Sequence, residues 1–328
     1  MDNLQLIDKL NTAREQLFRE IGHVIIGQRE ILEHLFLAML CRGHVLLEGV
    51  PGLAKTLIIK TLADVLDLSF SRIQFTPDLM PSDITGTEII QETKTEGRRF
   101  KFFKGTIFAH IILADEINRT PPKTQAALLE AMQEHKVTAA GTSYPLDEPF
   151  FVMATQNPIE QEGTYPLPEA QLDRFMFNLR IEYPSNDEEI KIVESTTSAG
   201  GTSPAKVVSR DDILSFQELI LQVPVAENVV RHAVRLVRDT RPGLDVQPRF
   251  IPEWVEWGAG PRASQYLILG AKALAVLDGR STPDISDVDT LIKPVMRHRI
   301  ITNFNAEAEG VDTDQILDRL VETRSRSS

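Results

Sequence analysis

The sequence predicts an α/β nucleotide-binding domain with a parallel sheet, followed by an all-α domain, and three observations predict it. A Gly-rich turn at residues 49–56 joins an apolar strand to a helix, two later apolar strands end in polar residues, and the pattern from Arg210 onward is helical. Continuously apolar strands belong to sheets covered on both faces, in which ligands bind at the carboxyl ends of the strands. We therefore expect the functional site at that edge of the sheet.

The composition predicts a soluble globular protein. Of the 328 residues, 42% are hydrophobic and 25% are charged, which is enough apolar material for one large or two ordinary domains. No apolar run is long enough for a membrane span, and the first residues lack the basic start and apolar stretch of a signal peptide. Cys41 is the only cysteine, which excludes an internal disulfide and favours a reducing cytoplasm.

The charge balance argues against general binding to nucleic acid. The net charge is −12 and the pI is near 5.1, so the chain as a whole lacks the basic footprint that makes binding to a phosphate backbone easy. We therefore expect nucleic acid to be absent from its partners unless basic residues cluster locally.

The N-terminal region predicts two helices joined by a short apolar loop. Helical spacing of apolar residues covers Leu4–Ile21 and Arg29–Leu40. Between them, Ile26, Gly27 and Gln28 lie one helix ahead of the Gly-rich turn. Such a loop suits an adenine pocket, where a flat apolar wall and backbone groups select the base. Core packing at a helix junction explains the same residues equally well.

The Gly-rich turn has the setting of a phosphate-binding loop. It consists of Gly49, Val50, Pro51, Gly52, Leu53, Ala54, Lys55 and Thr56, and Leu57 continues into the helix. Backbone N–H groups of such a loop converge on a β-phosphate, Lys55 reaches the β- and γ-phosphate oxygens, and the Thr56 hydroxyl binds Mg²⁺. Ala54 stands where the template has glycine, so we expect it to belong to the first turn of the helix. The alternative is an ordinary strand-to-helix connection.

A second apolar strand, predicted over residues 107–114, ends in two carboxylates. Before it we expect a short strand over 70–75, a turn or helix over 78–83, and an inserted β-hairpin in which 88–91 and 100–103 flank residues 94–97. Asp115 is placed to hold Mg²⁺ through water, and Glu116 to orient and deprotonate the attacking water. The alternative is a purely structural role for the terminal carboxylates.

A third apolar strand, predicted over 149–157, follows a helix that starts near Pro122 and a second hairpin at 136–138 and 143–146. Asn157 at its end is suited to positioning the lytic water, although Asn before Pro158 is also a common turn pairing. Arg174 precedes the last strand, predicted over 178–183. It either forms a salt bridge within its own domain or stabilises the transition state in a neighbouring subunit.

The remainder predicts a separate helical domain. The division we expect is 1–184 for the nucleotide-binding core and 185–328 for the second domain. Its expected helices, after one over 185–196 and a flexible connection over 198–204, cover residues 211–222, 227–240, 264–278, 285–297 and 313–323. Arg262 starts one of these helices and either reaches phosphate or caps the helix. Trp254 and Trp257 are expected to pack inside, and residues 324–328 to be disordered.

Five motifs together closely resemble the MoxR family of AAA+ ATPases over nearly the whole chain: GVPGLAKT, ADEINR, ATQNP, LPEAQLDRF and GAGPRAS. The resemblance implies an αβα core whose five-stranded parallel sheet has the order 5-1-4-3-2, together with a helical lid. It implies that the two hairpins are the insertions shared with magnesium-chelatase motor subunits, and that Ala54 is a family trait.

The resemblance also implies the roles of single residues and partners. Asn157 would be sensor 1, Arg174 an arginine finger acting in trans, and Arg262 sensor 2, acting either on its own subunit or on the next. The cofactors would be ATP and Mg²⁺. The assembly would be a homo-oligomeric ring, usually of six, because a site completed by another subunit requires head-to-tail association that closes. Family members resemble chaperone-type remodelling ATPases that work with a von Willebrand factor A domain protein to assemble or metallate a client.

Two other functions remain open from the sequence. A DNA translocase would need basic hairpins, and the first hairpin carries Lys94, Arg98, Arg99, Lys101 and Lys104 against Glu88, Glu92 and Glu96, whereas the second has little beyond Lys136. A nucleotide-gated scaffold without turnover would have no need of Asp115, Glu116 and Asn157, so their presence disfavours it.

Overall fold

The computed structural model describes residues 3–93, 97–139, 141–158, 163–198, 203–243 and 248–325. The strands are β1 (Val45–Glu48), β2 (Phe70–Gln74), β3 (Gly86–Thr93), β4 (Gly97–Lys104), β5 (Ile111–Asp115), β6 (Lys136–Ala139), β7 (Thr142–Pro145), β8 (Phe151–Gln156), β9 (Phe177–Arg180), β10 (Val255–Trp257) and β11 (Ile301–Thr302). The helices of the N-terminal half are α1 (Asn3–Gly22), α2 (Arg29–Leu40), α3 (Lys55–Val65), α4 (Pro81–Thr85), α5 (Pro122–Glu134), α6 (Glu169–Leu172) and α7 (Asn186–Thr197). Those that follow are α8 (Arg210–Gln222), α9 (Glu227–Asp239), α10 (Ile251–Trp254), α11 (Pro261–Leu277), α12 (Ile285–Thr290), α13 (Ile292–Met296), α14 (Phe304–Glu309) and α15 (Thr313–Ser325).

The central sheet has five parallel strands in the order β2-β5-β8-β1-β9. Counted along the chain as strands one to five, this is the order 5-1-4-3-2, so the predicted fold class and topology are confirmed. Strand β1 lies between β8 and β9, with Leu47 opposite both Thr155 and Leu179. The crossovers therefore bring the carboxyl ends of β1, β5 and β8 to one edge.

The sheet separates two apolar layers because its strands alternate between them. Val45 and Leu47 pack into the larger cluster with helices α2 and α3, whereas Leu46 between them packs into the smaller cluster with Leu128 of α5. Val45, Leu46 and Leu47 are all fully buried. Burial on both faces explains why these strands read as continuously apolar in the sequence.

Both inserted hairpins are present as predicted. Strands β3 and β4 pair antiparallel, as do β6 and β7, and residues 94–96 at the first turn lie outside the described residues. The Phe102 ring of the first hairpin stacks on Tyr144 of the second, with ring centroids 3.9 Å apart and planes 10° apart. The two insertions therefore support each other on the same side of the core.

Several strand boundaries were predicted wrongly; β8, for example, begins at Phe151 rather than at residue 149. Residues 107–110 are a turn, and β5 begins only at Ile111, because the Ile107 amide bonds to the Ile84 carbonyl at the base of the hairpin instead of to the sheet. The last strand ends at Arg180 rather than at residue 183, because its partner β1 ends at the facing Glu48 and turns into the Gly-rich loop.

The C-terminal part is mainly helical, with two departures from the prediction. The helix expected over 285–297 is divided into α12 and α13, because Pro294 has no N–H to donate to the Thr290 carbonyl. A small antiparallel pair, β10–β11, makes "all-α" wrong in detail. The connection at 199–202 lies outside the described residues. The expected domain boundary between residues 184 and 185 stays a prediction. One continuous cluster of apolar side chains joins helices from α1 to α15.

The tryptophans and the C-terminal tail differ in part from expectation. Trp254 packs as expected, beneath the Arg319 guanidinium at 4.7 Å, but Trp257 is 68% exposed, so that expectation was wrong. Helix α15 continues through Ser325, and Arg324 forms an ion pair with the buried Asp239. The expected disorder is therefore wrong for residues 324–325, and residues 326–328 lie outside the described part.

A helix that crosses a membrane must be both long and apolar. No single helix within the described ranges is long and apolar enough to cross a bilayer; the α8–α9 pair, bent by 94°, meets the length and composition requirement only when its two helices are counted together.

A buried arginine ties the segment before β9 to the C-terminal helices. The Arg299 side chain is 2% exposed and donates to the Asp173 carboxylate at 2.7 Å and to the carbonyls of Asp173, Phe175 and Met176. We expect Arg299→Met to lower the free energy of unfolding by about 3 kcal/mol, because the acceptors at the buried Phe175 and Met176 lose their donor and Asp173 loses its partner. Urea denaturation measures the loss.

The matched control for this substitution is Arg231→Met. Arg231 is 77% exposed and pairs with Glu227 one helical turn away, so its removal should change stability by less than about 0.5 kcal/mol. A loss below about 1 kcal/mol for Arg299→Met would contradict the role assigned to Arg299.

Candidate functional site

The Gly-rich loop connects β1 to α3 and lies against the end of β9. A Cβ atom on Gly49 would lie 2.2 Å from the Ile181 Cγ2 atom and 3.0 Å from the Ile181 carbonyl oxygen, so the close packing of Ile181 against the loop favours glycine there. Gly52 has φ +89, which also favours glycine. The Lys55 ammonium donates to the Gly49 carbonyl, so the lysine lies folded along its own loop. Helix α3 begins at Lys55, so the unbonded N–H groups of its first turn directly follow the loop.

Ala54 does not belong to the first turn of α3, so that expectation was wrong. Its φ of 54° and ψ of 23° place it in the left-handed region, as the residue that caps the helix. The Ala54 carbonyl accepts from the Ile58 amide at 2.9 Å, the first bond of the helix. An L-residue in this conformation costs about 1 kcal/mol. The loop therefore keeps its shape with alanine by accepting a small strain.

Asp115 and Glu116 lie at the carboxyl end of β5. Thr155 Oγ1 donates to Asp115 Oδ1 at 2.7 Å and accepts from the Glu116 amide at 2.9 Å, so one hydroxyl of β8 orients both residues. Glu116 has φ 57, an uncommon conformation for this residue type, which turns its side chain out of the strand direction. Its carboxylate accepts from Gln74 Nε2 at 2.9 Å and pairs with Arg119 at 3.3 Å.

Most of the predicted phosphate and magnesium residues line one cavity of about 480 Å³ between the Gly-rich loop and the carboxyl ends of β5 and β8, whereas Gly49 and Val50 at the start of the loop do not line it. Its walls include Pro51, Gly52, Leu53, Ala54, Lys55, Thr56, Leu57, Asp115, Glu116 and Asn157. Asn157 is 7% exposed there, so its amide is held within the protein rather than in solvent. Burial lowers the pKa of Lys55, and the charges of Asp115 and Glu116 oppose that shift.

A second cavity, of about 370 Å³, adjoins the Gly-rich loop on its other side. It is lined mainly by apolar side chains of the 24–28 loop, of α3 and of α7, among them Ile26, Leu57 and Ile192. Gly27 has φ +72, and a Cβ there would lie 2.4 Å from Glu188 Oε1, so glycine lets this loop approach α7. Gln28 Nε2 donates to the Glu182 carbonyl at 3.0 Å. The loop thus lies beside the phosphate-loop residues, and its role in binding adenine stays a prediction.

Arg174 and Arg262 lie together but line neither of these two cavities. They share a third cavity of about 200 Å³ with Arg42 and His135. Arg174 Nη1 donates to the Leu129 carbonyl at 2.5 Å. Arg262 pairs with Asp173 at 3.4 Å, so within its own subunit it forms a salt bridge rather than facing the Gly-rich loop.

The side chains of β2 that contact the two carboxylates were not predicted from the sequence. Arg72 forms an ion pair with Asp115, and Gln74 hydrogen-bonds Glu116, because β2 pairs directly with β5 and places Gln74 opposite Asp115. Their spacing of two residues puts both on one face of the strand. That polar alternation was the available signal, but its meaning depends on which strand is the neighbour.

Comparisons with known proteins agree with this geometry. The sequence profile of the ATPase family associated with various cellular activities (AAA) matches residues 44–177, and that of the AAA lid domain matches residues 253–320. The chain is 42% identical to Chaperone MoxR1 of Mycobacterium tuberculosis, covering 97% of this chain and 83% of that protein. It is also 42% identical to the uncharacterized protein YeaC of Bacillus subtilis, covering 90% and 89% of the two chains.

A solved structure has the same fold over nearly the whole of this chain. It is a candidate ATPase from Cytophaga hutchinsonii, with a TM-score of 0.86 and 41% identity, and the match covers 98% of this chain and 95% of that one. The sheet order, the motifs and these similarities are mutually consistent. The chain belongs to the MoxR family of AAA+ ATPases, and it is itself an ATPase.

Proposed function

We propose that the chain hydrolyses ATP with Mg²⁺ in the 480 Å³ cavity, with the adenine in the neighbouring 370 Å³ cavity. The observation that carries this proposal is the convergence of the Gly-rich loop with the carboxyl ends of β5 and β8. Lys55 would bind the β- and γ-phosphates there, Glu116 would orient and deprotonate the attacking water, and Asn157 would hold that water in line.

The donor atoms in this cavity fit Mg²⁺. Thr56 supplies a hydroxyl and Asp115 a carboxylate, and Mg²⁺ prefers a few such oxygen ligands while keeping several waters. No group of three or more His, Cys, Asp or Glu residues suited to a metal ion occurs among the described residues, which fits a metal held mostly by phosphate and water. When bound, Mg²⁺ would neutralise the charge that develops on the phosphate oxygens.

Arg174 and Arg262 support a site shared between subunits. Because both lie outside the cavity that contains Lys55, we propose that both act on the nucleotide of an adjacent subunit. Such a contact is heterologous, and repeated head-to-tail association closes into a ring. The size we propose is a hexamer, as the family resemblance implies.

We further propose that hydrolysis drives chaperone-like remodelling of a client protein together with a von Willebrand factor A domain partner, in the cytoplasm. One relative is named a chaperone, which supports the first part. The first hairpin also exposes Ile90 and Phe100, which are 60% and 72% exposed, and such apolar side chains suit contacts with protein.

DNA translocation is the alternative function that the hairpins keep open. Two basic residues of the first hairpin, Lys101 and Lys104, lie on β4. The Lys101 ammonium lies 5.4 Å from the centre of the Phe103 ring, and the Lys104 ammonium likewise lies over an aromatic ring. The side chains at 92–99 lie outside the described residues. A salt-sensitive stimulation of ATP hydrolysis by DNA would favour this alternative over protein remodelling.

The direct test measures phosphate release by the purified full chain with ATP, in Mg²⁺ and in EDTA, and mass by light scattering with and without a nonhydrolysable ATP analogue. We expect turnover only with Mg²⁺ and a larger particle when the analogue is bound. Nucleotide binding without turnover would instead indicate a nucleotide-gated scaffold, and a monomer at all concentrations would refute the shared site.

A further inference from the structure

An ion pair in which two nitrogens of Arg72 donate to one oxygen of Asp115 connects β2 to the carboxylate expected to hold the metal. We propose that Arg72 is the counter-ion of Asp115 that Mg²⁺ displaces when ATP binds, which makes Arg72 a positioning residue for the metal site. This inference rests on the proposed function, since it concerns the same cavity. It assigns a role to a side chain that lies outside all the motifs of the nucleotide site.

The strand register brings Arg72 to Asp115. Arg72 lies opposite Leu113, two residues short of the strand end, and its long side chain extends along the sheet to the carboxylate. Both Arg72 Nε, at 3.1 Å, and Arg72 Nη2, at 2.6 Å, donate to Asp115 Oδ2. Asp115 Oδ1 accepts from Thr155 Oγ1 at 2.7 Å. Each oxygen of the carboxylate is thus engaged by a protein donor.

Arg72 and a hydrated metal ion compete for the same oxygen. A water of the Mg²⁺ shell would donate to Asp115 where the guanidinium now donates, and two cations close together repel each other. Lys55 does not have this role, because its ammonium donates to the Gly49 carbonyl. The Arg72 side chain is 46% exposed and lines the cavity beside the Gly-rich loop, so it has room to leave Asp115.

The same arginine is connected to Glu116. Arg72 Nη2 donates to Gln74 Oε1 at 2.5 Å, and Gln74 Nε2 donates to Glu116 Oε2 at 2.9 Å. When Arg72 leaves Asp115, its hydrogen bond to the Gln74 side chain is therefore also lost, and this is the side chain that donates to Glu116. In this arrangement, metal binding at one carboxylate reaches the other through two side chains of β2.

A purely structural role makes the opposite prediction. If Arg72 only held Asp115 in the orientation that the metal needs, its removal would weaken metal binding. If Arg72 occupies the place of the metal, its removal strengthens metal binding, because no ion pair has to be broken first. The sign of the effect on Mg²⁺ therefore distinguishes the two roles.

The experiment measures the affinity for a fluorescent nonhydrolysable ATP analogue in saturating Mg²⁺ and in EDTA. The ratio of the two dissociation constants is the factor by which Mg²⁺ tightens binding, and it cancels the direct attraction of Arg72 for phosphate. We expect this factor to rise about fivefold in Arg72→Met, the scale of a partly exposed ion pair, and by less in Arg72→Lys. Arg231→Met, a charge-matched change on α9, should leave it unchanged.

The outcomes separate this inference from the proposed function. An unchanged or smaller Mg²⁺ factor in Arg72→Met overturns the counter-ion role while leaving ATP binding intact. A wild-type chain that binds no analogue in either condition overturns both. Thermal unfolding of each variant accompanies the binding curves, and Arg72→Gln replaces Arg72→Met if that variant does not fold.

Discussion

Glu116→Gln is expected to lower ATP turnover by at least about a hundredfold while leaving nucleotide affinity nearly unchanged. The amide keeps the size of the carboxylate but cannot take a proton from water. Glu116 lies at the end of β5 with its side chain in the cavity that Lys55 lines, and it contributes no predicted ligand to the nucleotide. Steady-state phosphate release and binding of a fluorescent ATP analogue measure the two quantities.

The matched control for this substitution is Glu227→Gln. Glu227 is 76% exposed on α9, so the same chemical change there should leave turnover as in the wild type. Turnover of Glu116→Gln within about tenfold of the wild-type value would remove Glu116 from its role as the general base.

Arg174→Ala is expected to lower turnover by about a thousandfold, the lower end of the range for an arginine finger. The physical reason is the loss of a planar cation beside the γ-phosphate of the adjacent subunit. Mixing this variant with Lys55→Ala should restore activity, because an interface with Lys55 from one subunit and Arg174 from the other is complete. Random mixing in equal amounts makes about a quarter of the interfaces complete.

The mixing experiment separates a role in trans from a structural role. Arg174 also donates to the Leu129 carbonyl, so its removal could disturb α5. A structural defect would persist in mixed assemblies, whereas a missing finger would be supplied by the partner. Absence of any recovery, with unfolding curves matching the wild type, would contradict action in trans.

Most local elements were predictable because their periodicity is a local property. Helix α2 was predicted over the residues that form it, and α1 within one residue at each end, since a regular apolar stripe marks a helix that packs on a core. The three central strands were found because burial on both faces leaves them apolar up to the polar residues at their carboxyl ends.

Two of the failures share a different cause, which is competition from contacts distant in sequence. Residues 107–110 are apolar, yet a hydrogen bond from Ile107 to Ile84 keeps them out of the sheet. Ala54 was placed in a helical turn by its intrinsic preference, but the loop needs a left-handed residue at that position. In both cases the surrounding structure outweighs a local preference of about 1 kcal/mol.

The sequence by itself determined the fold class, the Gly-rich loop and the polar ends of two strands, because these depend on spacing along the chain. Only the tertiary structure decided which side chains meet there. The strand order places β2 next to β5, which brings Arg72 to Asp115, and the packing of α11 places Arg262 beside Arg174, outside the chain's own cleft. Which side chains come into contact depends on strand order and helix packing. The residues that separate two such side chains in the sequence carry no local signal of the contact.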